Sequence, residues 1–394
     1  MSLLKWFDAI KAVAYREIKR IFERKVLIFI MLIGPVFTFL LVYNIFNKQV
    51  IRDLPIVVVD QDQSRLSSSL TRMIDASPIV TINEFVANIS EAQSIMYDGN
   101  ADAIVVIPTD FERGVYSSNP KKVEVYINNT NVVKGGIINS ALYKTLSSFS
   151  VQAKVATQMK KGVPLEGAID KALPLNISTH LLYNSYGNYA WFLAMGLMPM
   201  MLTVFVFMGT LYAFGIELKE RSGHDLLETA QGKMSVVVIG KLIPYLGFYV
   251  LIISILNILM FSSMGLPLNG HWGYILLMEG LLVLAYQMIA LLVLGLTSNL
   301  RLSLSLGSAF TMMALTFSGL TFPQDGMPLI ARLFSWIFPY TPWLKGFVEQ
   351  SLKGIPVVLS LKWMWILMIY CLVGVLGLPL LKKKFADEKH WGKS

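Results

Sequence analysis

The sequence predicts a polytopic α-helical membrane protein with six transmembrane helices, short re-entrant helices between spans five and six, and a small α/β domain inserted after span one. Three observations carry this. Of the 394 residues, 55% are hydrophobic and 15% are charged, where a water-soluble domain has about 25% charged residues. Six apolar segments approach the roughly 20 residues that a helix needs to cross the hydrocarbon layer with its backbone polar groups satisfied internally. Residues 47–185, between the first two segments, have instead the mixed composition of a domain solvated by water.

Residues 1–25 read as an amphipathic interfacial helix, and Lys5, Lys11, Arg16, Lys19, Arg20, Arg24 and Lys25 stand in it before the first span. Residues 26–46 form the first span. Their apolar run is too long for a signal peptide, and Asn47-Lys48-Gln49 follows in place of a small-residue cleavage site, so the segment is expected to stay as an anchor. The membrane region 186–381 supplies the other spans at 191–212, 239–261, 274–296, 302–320 and 363–381. Pro35, Pro199, Pro244 and Pro379 fall inside spans, where membrane helices tolerate them.

Lys and Arg placement orients the spans. The connection between spans two and three brings Lys219, Arg221, Lys233 and Lys241, and the next connection on that side brings Arg301. The tail, residues 382–394, adds Lys382, Lys383, Lys384, Lys389 and Lys393, whereas residues 262–273 hold no Lys or Arg. The excess of positive residues on one side places both termini and the loop 213–238 in the cytoplasm, and residues 47–185 outside the inner (cytoplasmic) membrane. The formal net charge is +9, yet residues 47–183 hold 13 residues of each sign. The excess is therefore a topology signal rather than a nucleic-acid-binding face. A single cysteine, Cys371, excludes a disulfide within the chain and any cysteine-based zinc or iron–sulfur site.

The extracytoplasmic stretch alternates strands and helices. Leu54-Pro55-Ile56-Val57-Val58-Val59 is a buried-strand run, and Ser64 caps a helix whose Leu66, Leu70, Met73 and Ile74 share a face. A strand at 79–85, a helix at 90–97, a strand at 103–107, a helix capped by Asp110, a strand at 122–128 and a long helix at about 132–161 follow. The histidines, His180, His224, His271 and His390, all lie outside residues 51–176, which removes serine–histidine and histidine–metal chemistry there. Asp60-Gln61-Asp62-Gln63-Ser64 opens like a calcium loop, but Arg65 occupies the glycine position and Thr71 the bidentate glutamate position, leaving a strand-to-helix turn. Ser118-Asn119-Pro120-Lys121 has the Ser-x-x-Lys spacing of acylating enzymes but sits in a turn before a strand, and is read as accidental.

In the membrane half, Gly215-Ile216-Glu217-Leu218-Lys219-Glu220-Arg221 continues from span two, and Ser222-Gly223-His224-Asp225-Leu226-Leu227-Glu228 breaks and restarts the helix. With residues 10–25 this lays a charged surface along the inner leaflet, which fits a solvated loop beside an interfacial helix or a docking surface. After span five, Phe322-Pro323 and Met327-Pro328 break the helix. Residues 329–338 are apolar but too short to span, and Pro339-Tyr340-Thr341-Pro342-Trp343 breaks the chain again. Segments of this length read as re-entrant helices over 321–354, with an external amphipathic helix as the other reading. Glu279 is the acidic residue inside a span, with Gln287 about two turns further on. It is either a functional group or a residue paired near the interface. Met195, Met198, Met200, Met201, Met208, Met312 and Met313 suit varied hydrophobic ligands, and ordinary helix packing equally.

From the basic N-terminal helix to span six, the chain resembles an ABC-2 type permease, the membrane subunit of a type V ABC exporter, in the subfamily with a large extracytoplasmic domain between spans one and two. The landmarks are Val58-Val59-Asp60-Gln61-Asp62-Gln63-Ser64, Ile107-Pro108-Thr109-Asp110-Phe111-Glu112-Arg113, Gly215-Ile216-Glu217-Leu218-Lys219, Gly240-Lys241-Leu242-Ile243-Pro244, and Phe322-Pro323 with Met327-Pro328. In one departure, Arg221-Ser222-Gly223-His224 stands where many members carry a Glu-x-Gly-Thr turn.

The resemblance implies a non-enzymatic subunit that exports a hydrophobic or amphipathic substrate, such as a drug-like compound or a lipid. It implies cytosolic ABC ATPase subunits that bind the ATP and Mg, no cofactor or metal on this chain, and a second permease subunit, identical or paralogous. A periplasmic membrane-fusion adaptor and membrane lipid are further implied partners; nucleic acid is not. The implied ATPase-coupling residues are Tyr15, Arg16 and Arg20 on the N-terminal helix and Glu217, Lys219, Glu220, Arg221, Gly223, His224 and Asp225 on the loop. The implied substrate pathway runs along Met198, Met201, Glu279, Gln287, Phe317, Phe322 and Pro323. A phosphate-binding loop is not expected here, since Gly392-Lys393-Ser394 would need a glycine where Asp387 stands. Two other classes stay open: a membrane-anchored periplasmic ligand-binding or scaffold protein, and a secondary transporter, whose inverted repeat and polar midplane the sequence does not display.

Overall fold

The computed structural model describes residues 3–47, 49–117, 119, 121–172, 180, 182–185, 187–297 and 299–392, with Leu3 and His390 as backbone alone. Lys48, Ser118 and Pro120 of the Ser-x-x-Lys match, and Lys393 and Ser394 of the terminal Gly-Lys-Ser lie outside the described residues. The chain divides into two compact units, one comprising Met1–Gln49 with Leu181–Ser394 and the other Val50–His180.

The first unit opens with α1 (Leu3–Glu23) and α2 (Lys25–Phe46). On α1, Ala9, Ile10, Val13, Glu17, Arg20 and Ile21 are buried and recur at the three-to-four spacing of one helix face, while Lys5, Lys11 and Tyr15 are exposed. Two members of that buried face are charged, which an interfacial helix lying on lipid does not require. A π turn at Phe29–Ile33 precedes Pro35 in α2, where the missing proline N–H already breaks the regular ladder.

The second unit runs β1 (Leu54–Asp60), α3 (Arg65–Asp75), β2 (Val80–Val86), α4 (Ile89–Tyr97), β3 (Ala103–Ile107), α5 (Phe111–Tyr116), β4 (Glu124–Ile127), α6 (Val132–Lys160) and α7 (Leu165–Ala172). The sheet order is β2-β1-β3-β4, with β1 parallel to both β2 and β3, and β4 antiparallel to β3. The central strands β1 and β3 are covered on both faces, which is why they are unbroken apolar runs rather than alternating ones. Ile56 and Val58 pack with Leu70 and Ile74 of α3 and Ile138 and Leu142 of α6, while Val57, Val59 and Ile104 pack with Ala92 of α4 on the other face.

The turn after β1 uses its carboxylates internally. Asp60 accepts from the Asp62 and Gln63 amides at 3.0 Å and from the Ser67 hydroxyl at 2.7 Å, beside a capping box between Ser64 and Ser67. Asp62 accepts from the Phe111 amide at 2.9 Å and the Glu112 amide at 3.1 Å. The cap of α5 is therefore Asp62, not the Asp110 expected from sequence. Asp110 has a left-handed backbone, φ +59°, and its side chain makes no capping bond.

The first unit resumes with α8 (Tyr189–Lys219), α9 (Gly223–Thr229), α10 (Met234–Ser263), α11 (Trp272–Leu296), α12 (Leu300–Phe317), α13 (Leu329–Ser335), α14 (Tyr340–Val348) and α15 (Val357–Ala386). Among the described residues, α2, α8, α10, α11, α12 and α15 are the six helices long and apolar enough to cross a membrane. The fold is thus a polytopic α-helical membrane protein carrying a small α/β unit. Helix α11 is central, with most of its apolar stretch buried, whereas most of that of α15 is not. Gly374 lets α15 approach α11 closely, since a Cβ there would lie 2.5 Å from the Met288 backbone. Between spans five and six, α14 is buried, and the Tyr340 hydroxyl donates to the Gly196 carbonyl of α8 at 2.5 Å. In contrast, α13 exposes Leu329, Ile330 and Leu333.

Helix α8 runs on past the apolar segment 191–212 to Lys219, as the continuation over 215–221 predicts, and α10 starts at Met234, five residues before the apolar segment 239–261. Glu217 and Lys241 both sit inside these helices. Their charges do not end the helices because each meets an opposite charge in the interior.

Candidate functional site

The cluster that holds those charges lies where the C-terminal end of α8, the N-terminal part of α10 and α1 converge. An unpaired charge taken out of water costs several kcal/mol, so a buried ionic group persists only with partners. Glu17, Glu217 and Lys241 have fully buried side chains. The Lys241 ammonium donates to Glu17 Oε1 and to Glu217 Oε1, each at 2.7 Å, and the Tyr245 hydroxyl donates to Glu17 Oε2 at 3.3 Å.

Glu217 is the hub. Arg16 donates to both of its oxygens at 3.1 Å, and Arg20 and the Ser222 hydroxyl also donate to it. Such a two-pronged arginine–carboxylate contact fixes geometry as well as charge. Arg20 reaches on to Glu220 at 2.7 Å, and Arg24 donates to both Glu220 oxygens at 2.6 and 2.5 Å. Burial alone would lower the Arg20 pKa, but Glu217, Glu17 and Glu220 outweigh it and raise it, so the guanidinium stays charged.

Backbone geometry completes the corner. Arg221 adopts a left-handed backbone, φ +62°, and the Ser222 amide donates to the Glu217 carbonyl at 3.0 Å, closing α8 in a Schellman turn. Gly240 permits α1 to press onto α10, because a Cβ there would lie 2.7 Å from the Val13 side chain. Gly223 is buried against Phe385 of α15, so α9 is held between α1 and α15. What this corner exposes is Tyr15, Lys219, Glu220, Arg221, His224, Asp225 and Glu228. His224 Nδ1 lies 3.5 Å from Glu228.

The coupling residues named from sequence therefore fall into two groups. Arg16, Arg20, Glu217 and Gly223 hold the corner together from inside, whereas Tyr15, Lys219, Glu220, Arg221, His224 and Asp225 reach its surface. Sequence reasoning missed Glu17, Lys241, Tyr245 and Ser222 as members of the cluster. The available signal was a charge on the apolar stripe: Glu17 falls between Val13 and Ile21, and Lys241 follows an unbroken apolar run.

The residues named for a substrate pathway are spread over several elements. Met198 is buried and Met201 half-buried on α8, Phe317 packs on Phe334 at 5.0 Å between centroids, and Phe322 and Pro323 are exposed. Glu279 accepts from Asn257 Nδ2 at 2.8 Å, while its other oxygen and both amide atoms of Gln287 are buried with no hydrogen-bond partner among the described residues.

A sequence model of the ABC-2 family transporter proteins matches residues 25–376. The chain belongs to the ABC-2 family of transporter proteins. Membership makes this ABC-2 protein a membrane subunit of an ABC transporter and implies an ABC ATPase partner, in keeping with its six apolar helices. No curated protein matches this ABC-2 chain. Within it, the matched region contains the first five spans, the α/β unit and α15 as far as residue 376, and α1 precedes it.

Proposed function

We propose that this chain is the permease subunit of an ATP-driven exporter that moves hydrophobic or amphipathic molecules outward across the cytoplasmic membrane. The observation that carries the reading is the buried ionic cluster: it welds α1, the end of α8 and the start of α10 into one rigid corner that presents a charged surface. A rigid corner is what a push from a soluble motor needs, because a soft contact would absorb the displacement locally. In this reading cytosolic ABC ATPase subunits, which bind ATP and Mg, dock on Tyr15, Glu220, Arg221, His224 and Asp225. Nucleotide-driven closure then shifts the population of span arrangements.

A second permease copy, identical or paralogous, closes the pathway, with the sparsely buried α2, α12 and α15 free to meet it or lipid. Both termini are cytoplasmic and the α/β unit lies outside, available to a periplasmic adaptor. Buried α14 is the re-entrant element, and α13 lies along the lipid interface with its apolar side chains in the membrane.

The test is purification of the tagged chain from its native membrane in detergent, scored for a co-purifying ATP-binding polypeptide and for ATP hydrolysis. A stoichiometric ATPase is expected. Its absence, under conditions that preserve a known ABC complex, would overturn the reading in favour of an anchored ligand-binding protein.

A further inference from the structure

We propose that the α/β unit binds a single-chain anionic amphiphile in a cavity beside α6, a ligand class that deepens the export reading and rests on it for its physiological meaning. Protein interiors are packed as tightly as organic crystals, so a large void needs a cause in the sequence. Here the cause is a change along α6. Its inward face carries Ile138, Leu142 and Phe149, and then continues at the same spacing with the small residues Ala153 and Thr157. Helix α7 packs back along α6 with Ala168 and Ala172 buried, so among the described residues the α7 side presents small buried side chains there.

The resulting cavity is about 560 Å³, within the range of about 300–1,000 Å³ common for small-molecule sites. Its floor is apolar and reaches the core of the unit at Leu70, Phe111 and Phe149. Its polar edge carries Lys121, Lys154 and Lys171, and among the described residues no Asp or Glu lines it. All three lysines are exposed, and among the described residues none forms an ion pair. An apolar pit edged by three uncompensated ammonium groups favours an anion joined to a hydrocarbon tail and disfavours a cation. Lysine stems are long and flexible enough to follow the headgroup while their methylenes cover the chain.

The test uses the full chain in phosphatidylcholine nanodiscs and palmitic acid bearing a photoactivatable diazirine on its chain. Irradiation is expected to label α5 and α6 around Val115 and Phe149, with competition by excess palmitate but not by hexadecanol. The Lys121→Ser/Lys154→Ser/Lys171→Ser variant should lose at least tenfold of this labelling, and so should Ala153→Trp, which fills the cavity and keeps the lysines. Labelling confined to the spans, or cavity labelling that hexadecanol competes as well as palmitate, overturns the proposal. That comparison needs only the unaltered chain. Because labelling requires no ATPase, a chain that co-purifies with an ATPase yet fails here loses the ligand and keeps the permease reading, and the opposite pair of results does the reverse.

Discussion

The Nζ of Lys241 lies 2.7 Å from Oε1 of Glu17, joining two side chains 224 residues apart in the chain, both without solvent exposure. This bond ties α1 to α10. Removing the lysine leaves the buried Glu17 carboxylate with Tyr245 as its side-chain hydrogen-bond donor among the described residues, Arg16 at 3.8 Å and Arg20 nearby. Lys241→Met is therefore expected to lower stability by about 3–5 kcal/mol. Glu17→Leu/Lys241→Met should recover much of that loss, since Glu217 keeps Arg16 and Arg20. Thermal unfolding midpoints of the two single variants and the double variant check this; additive losses would contradict it.

Packing at the same corner gives an independent expectation. Gly240→Leu drives a side chain into Val13 and should destabilise by about 1–3 kcal/mol, while the milder Gly240→Ala should be rescued in part by Val13→Ala. The readout is the same unfolding midpoint.

In the α/β unit the two aspartates near α5 are expected to behave oppositely. Asp62→Ala removes the acceptor for the Phe111 and Glu112 amides and should cost about 1 kcal/mol. Asp110→Gly relieves a left-handed backbone and should be neutral or slightly stabilising. Hydrogen exchange of α5 distinguishes them, with faster exchange in the Asp62 variant alone.

Much of this architecture is legible in the sequence because solvent sets the pattern. A strand buried on both faces, such as β1, must read as Ile-Val-Val-Val, and a helix able to cross a membrane, such as α15, must carry a long apolar run, here residues 363–381. What is not legible is pairing over long separations. Composition ends the second span at residue 212, before Glu217, because a carboxylate counts as a reason to leave the membrane until its partner is known, and it leaves Lys241 inside the third span without naming a partner. Glu17 carries that same information, but only the fold brings it to Lys241. Asp62 and Asp110 repeat the point in the α/β unit: Asp110 adjoins α5 in sequence, yet the fold brings Asp62, 49 residues from Phe111, to the free amides.

The buried helix α14 is tied to α8 by the Tyr340 hydroxyl on the Gly196 carbonyl. Tyr340→Phe keeps the ring and removes one hydrogen bond, so a loss of about 0.5–1.5 kcal/mol is expected. A larger fall in the unfolding midpoint would mean that the hydroxyl organises more of the bundle than this one contact.

The most direct test of the docking surface is a cross-link. In a Cys371→Ser background, Asp225→Cys on the exposed face of α9 is treated with a short bismaleimide in native membranes, beside Glu91→Cys on α4 as the comparison. The expected product is a cross-link between the Asp225→Cys chain and an ATP-binding polypeptide, with none from Glu91→Cys. A cross-link to that polypeptide from Glu91→Cys and none from Asp225→Cys would contradict the account.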